Sequence, residues 1–266
     1  SSGSVVLSTG LASVSSGSLR VTTGASQNGA GGSVSVLGQS SKYAGSSILI
    51  QAGSSSESTG GAIQMSSGAG QLSSGAITIT SSGSEQGSSG SVTTSSGDGA
   101  SGGSMTIKTG SGTINGGDIV LAGGSSAGGI GSNVLIQAGD SSLQTGGNVH
   151  VTSGSGKSSS GSIQLSSADS TTSSGKLELK TGSASTGASG SVLLQTGVSM
   201  GGASGSLILS AGVSVEASSN QITVSAGDSA ESSGADVNVN AGSTTSSSDP
   251  AGNIQMIAGN SVGQTG

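Results

Sequence analysis

The stretch Ile48-Leu49-Ile50-Gln51 returns almost unchanged as Val134-Leu135-Ile136-Gln137 and again as Val192-Leu193-Leu194-Gln195. In each, two apolar residues stand two positions apart. That spacing puts both side chains on one face of a strand and the residue between them on the other. The β-branched bias at these positions suits a pleated surface better than a helical turn.

The same apolar pair recurs along the whole chain. Its first member runs from Val5, Leu19 and Val34 through to Ile254, eighteen positions in all, every one apolar. The second member runs from Leu7 to Met256, and only Thr94 breaks the series, so thirty-five of thirty-six phased positions are apolar. Successive first members lie 13 to 17 residues apart, averaging about 15. A disordered chain has no reason to hold such a phase, so the pattern predicts order.

Two residues past each pair comes a small side chain such as Thr9, Thr23 or Ala138, followed in most repeats by glycine, as at Gly10, Gly24 and Gly139. Glycine followed by Asp, Asn or Ser, as in Gly139-Asp140-Ser141, predicts a tight corner using positive φ. Five or six small polar residues then lead to the next pair. The changes in length fall in this polar stretch, and Pro250 sits in the longest one.

These observations predict an all-β fold: a β-solenoid, similar to a parallel β-helix, of 18 repeats forming one continuous array over residues 1–266. Stacked strands lie roughly 4.8 Å apart, with apolar columns buried against copies of themselves. One or two repeats per coil both fit the period. Two are favoured, because apolar columns then face each other across a core about 10 Å thick. The three near-identical strands are repeats 4, 10 and 14, all even-numbered, which agrees. The rod is then roughly 43 Å long, against roughly 86 Å for one repeat per coil. No capping sequence is visible at either end, which predicts an excised part of a longer array or one protomer of an end-to-end stack.

Composition narrows the function. With 53 Gly, one Tyr and no Phe, Trp or Cys, the chain lacks the aromatic side chains that supply most cores with buried area. Six Lys and Arg stand against twelve Asp and Glu, scattered singly, so there is no cationic stripe for nucleic acid. Neither an 18-residue apolar run nor an apolar leader is present, which argues against a membrane span. The absence of cysteine removes any disulfide framework.

No catalytic, cofactor-binding or metal-binding residue emerges, and the chain reads as non-enzymatic. His150, between Val149 and Val151, points away from the apolar face and reads as a surface imidazole. Gly154-Ser155-Gly156-Lys157-Ser158 departs from a phosphate-binding loop, because the first glycine of that pattern falls at Val151. Seven Asp over eighteen repeats cannot supply the recurrent carboxylates of a calcium-binding roll. An ice- or mineral-binding face is the alternative activity, yet the residues between the pairs, such as Arg20, Gln64, Thr78 and Glu178, form no regular Thr ladder. No Asn-x-Ser/Thr sequon with a permitted middle residue occurs, and the Ser- and Thr-rich turns read as turn chemistry rather than glycosylation sites.

The same outward column holds Leu49, Leu135, Leu193 and Ile208, which make a candidate stripe for lateral contact between copies or for docking a partner. The unit Gly-Ser-Val-x-Leu-x-Thr-Gly with its Ser-rich turn resembles the long Gly/Ser-rich repeat proteins of diatoms and other algae. That resemblance covers the whole chain and implies an extracellular or cell-surface filament, or an adhesive fibre. The expected partners are further copies, end to end and laterally, and a surface or polysaccharide.

Overall fold

The computed structural model describes residues 3–215, 221–231 and 233–259. Among them there is neither helix nor strand, so the expected β-solenoid is not formed. No described residue is buried, and the apolar pairs that were to form facing columns stand largely in solvent. The chain exposes 26310 Å². A compact chain of 24.3 kDa exposes about 10,000 Å² and an unfolded one about 35,000 Å², so little surface is removed from water. The physical reason lies in the composition. Two apolar side chains per repeat are a small return for ordering a Gly- and Ser-rich backbone, and among the described residues no ladder forms.

What order exists is local and repeats. In ten loops the polar stretch closes on itself through one backbone hydrogen bond, in which an amide two residues before a pair donates to a carbonyl three residues beyond the previous one. Gly61 N–H donates to Gly53 O at 2.8 Å, Gly75 to Gly68 at 3.0 Å, Gly147 to Gly139 at 2.9 Å and Gly252 to Gly242 at 2.9 Å. Ten such closures span from six residues, Gly97 to Gly103, to ten, Gly242 to Gly252, with N···O distances between 2.8 and 3.4 Å. Loop length varies while the gap between the loop's ends does not.

Closure is packed around a single Cβ. In thirteen loops with a described closing residue that residue is glycine, and a Cβ built on it would lie 3.1–3.8 Å from the Cβ of the small residue after the preceding pair. Ala52, Thr109, Ala138 and Thr196 are such small residues and are half-buried, better sheltered than any member of a pair. In two loops the roles exchange: Gly38 faces Ser46 and Gly123 faces Ser132, glycine now leading and serine closing. Ala226 and Ala235 are the one described pairing in which both sides carry a Cβ. The glycines therefore serve space. None of the described ones has φ between +20° and +160°, so the positive-φ corners read from the sequence do not form.

Loop length is related to a second position, three residues after the small residue, although Ser41 and Ser170 place serine there in loops of 14-residue spacing too. Eight of the nine loops that separate first members by 15 residues carry serine three residues after the small residue, Ala184 being the exception. Ser84 Oγ accepts from Gly87 N–H at 3.1 Å, Ser126 from Gly129 at 2.8 Å and Ser141 from Gln144 at 3.0 Å, each fixing the bend that follows. In four shorter loops glycine takes that place, at Gly70, Gly99, Gly112 and Gly156. A Cβ on Gly112 would land on the carbonyl oxygen of Asn115, so no other residue fits that bend unchanged. The longest loop is held instead by hydroxyls: Ser246 Oγ donates to Asp249 Oδ2 at 2.8 Å, and Ser246 N–H donates to Thr244 Oγ1 at 3.1 Å.

Contacts divide the chain, read from sequence as one array, into two units, Ser1–Val134 and Leu135–Gly266. Each contains pairs and closed loops of the kind described.

Candidate functional site

The chemistry-bearing feature of each repeat is the short segment between loops. Its period of two survives without a ladder. In the first unit Ile119 is 52% exposed, Val120 81% and Leu121 69%. In the second, Leu177 and Leu179 form the pair while the residues around them meet on the opposite side. Lys176 Nζ lies 2.5 Å from Glu178 Oε2, and Lys180 Nζ lies 2.8 Å from Glu178 Oε1. Contacts between residues i and i+2 require side chains to alternate, as in a strand. The pair face is thus apolar and uncovered, and the opposite face is mixed.

Glu178 is the one described group with a resolved pKa shift. The ammonium of Lys176, then that of Lys180, hold its carboxyl below the ordinary value of 4.5. Because the folded-state pKa is depressed, the contribution is present above 4.5 and is lost as pH falls through the lower folded value. At so exposed a position it adds little to stability. An NMR titration is expected to place the Glu178 midpoint below 4.5, with Lys176→Ala returning it further toward normal than Lys180→Ala.

The residues between the pair members are exposed. His150 is exposed, its Nε2 2.7 Å from Thr152 Oγ1, again an i, i+2 contact. The Gly154–Ser158 segment belongs to an ordinary closed loop, tied by Gly161 N–H to Gly154 O at 2.9 Å. Among the described residues no group of three or more His, Asp or Glu gathers in a geometry for a metal ion. Among the described residues no helix is long and apolar enough to cross a membrane.

Leu49, Leu135, Leu193 and Ile208 are all strongly exposed, between 78% and 83%. Each stands in its own repeat. Lys42 and Tyr43 add one more outward feature in the first unit, the ammonium lying 5.3 Å from the ring centre. The serine that bends the 15-residue loops and the exchange of Gly and Ser at Gly38–Ser46 and Gly123–Ser132 were not singled out from the sequence. Sorting the loops by length, and aligning the residue before each pair with the one after it, would have exposed both.

No protein-family model, curated protein or solved structure matches the chain.

Proposed function

We propose that the chain is a structural or adhesive component of an extracellular or cell-surface filament, non-catalytic, and that it works by associating with further copies of itself. One observation carries the reading: apolar pairs recur at a regular interval through both units, and none of their described members is buried. Monomeric soluble proteins rarely leave so much apolar surface in a regular array, and surfaces of that kind are there to be covered. An enzyme, by contrast, concentrates its polar groups in a concave site, whereas here the charged groups are dispersed. The resemblance of the unit to long Gly/Ser-rich algal repeat proteins points the same way. Leu49, Leu135, Leu193 and Ile208 supply a second, outward contact through which assembled chains bundle.

Electron microscopy of the protein as concentration rises is expected to show long unbranched filaments. A chain that stays a single species at every concentration would sink the reading. Replacing Leu49, Leu135 and Leu193 with serine is expected to leave filaments intact and thin their bundles; unchanged bundling would remove the stripe from the proposal.

A further inference from the structure

We infer that the apolar-pair face is an interface for a second copy of this chain, laid alongside at an offset of any whole number of repeats; this deepens, and rests on, the filament reading above. The occupant is identified by spacing. Whatever covers this face must present apolar groups at the interval at which the pairs recur, and a second copy carries that interval throughout its length.

Loop closure makes the match robust. Counted along the chain, pairs are separated by irregular numbers of residues, so copies shifted by one repeat ought to fall out of step. In the structure the irregularity is confined to the loops. Whether the closing carbonyl and amide stand six, eight or ten positions apart in the chain, as in Gly97–Gly103, Gly53–Gly61 and Gly242–Gly252, the two ends meet at 2.8–3.4 Å. Where a loop closes in this way, additional residues do not move its ends apart. Repeat 4 of one copy can therefore lie against repeat 5 of another as well as against its own counterpart.

The segments also carry the means to pair. No described residue takes part in a ladder, so the backbone of each short segment is free along its edge to receive another, the chemistry by which extended segments add to one another. Charge offers little resistance. The formal net charge is −6 over 266 residues, and the pair positions themselves are uncharged. Area is sufficient. Each pair residue, covered, removes on the order of 100 Å² from water, so four overlapping repeats reach the roughly 800 Å² per partner of a standard stable interface. Four repeats lie well within either unit.

The chain has no cysteine, which permits disulfide trapping without background. Three single variants are made in the full chain: Ile50→Cys in the pair of repeat 4, Met65→Cys in the pair of repeat 5, and Ser58→Cys in the exposed loop between them. Cysteine substitutes as a small apolar residue at the first two. Isotopically heavy Ile50→Cys protein is mixed with light Met65→Cys protein under mild oxidation, and the dimers are weighed. Mixed dimers are expected at a level within about twofold of like dimers, and both at least about tenfold above the Ser58→Cys control, since proximity raises the effective concentration of the thiols.

Three outcomes overturn the inference: like dimers without mixed ones, which fixes a single register; pair-face trapping no greater than loop trapping; and chains that sediment as monomers at about 0.1 mM, including monomers that instead bind a polysaccharide. Filaments seen by microscopy alongside either of the first two results would leave the structural reading standing while removing this interface. Whole-repeat trapping without filaments would do the reverse.

Discussion

Gly112→Ala is expected to open the loop it lies in. A Cβ at this position would coincide with the carbonyl oxygen of Asn115, a backbone atom that no rotamer change can move aside. The loop must therefore re-form, and with it goes the closure from Gly117 N–H to Gly110 O, a bond of 3.3 Å. Because this closure is local, and nothing buried resists its loss, amide exchange at Gly117 is expected to rise to that of open chain while distant loops are unaffected. Gly116→Ala is the control, since its Cβ would meet nothing nearer than Gly110 O at 3.9 Å. Equal exchange at Gly117 in both variants would show that the bend does not depend on a missing Cβ.

The second large effect is a coupling. Gly147 closes the loop that begins after Ala138, and a Cβ added to it would lie 3.2 Å from Ala138 Cβ and 3.3 Å from Gly139 N. Gly147→Val is expected to weaken the bond from its amide to Gly139 O. A loss of about 1 kcal/mol, typical of one backbone hydrogen bond, corresponds to about fivefold faster exchange at residue 147. Adding Ala138→Gly is expected to restore most of that protection, because the double variant recreates the arrangement present at Gly38–Ser46 and Gly123–Ser132. Non-additivity of the two substitutions is the signature to look for. Strictly additive effects would mean that the two positions do not share a space.

The repeat was legible in the sequence because alternation is a local property. Leu177 and Leu179 take one side, and Lys176, Glu178 and Lys180 the other, with no help from the rest of the chain. Stacking is not local. Placing Ile48 beside a residue of another repeat depends on which loop geometry the polar stretch adopts, and there the reading failed twice. Gly139-Asp140-Ser141 was read as a positive-φ corner that would turn the chain into a coil, whereas Gly139 lends its carbonyl to Gly147 and Ser141 accepts the amide of Gln144. A loop closed in this way satisfies itself, and nothing in it steers the next segment back over the last. The outward leucines are exposed, as the pairs themselves are. Whether they line up depends on how repeats follow one another, which alternation alone does not determine.

The loop between Gly242 and Gly252 has a use beyond its own repeat. It holds two more residues than the eight-residue loops, including Pro250, yet closes at 2.9 Å like the others. Lengthening a flexible loop costs little, with each doubling adding about 0.6 kcal/mol of closure entropy. The tip of such a loop is accordingly a natural point at which to graft a foreign peptide, whether a ligand, a tag or an antigenic segment. The flanking repeats would keep their spacing, and one chain could carry a different graft in each loop.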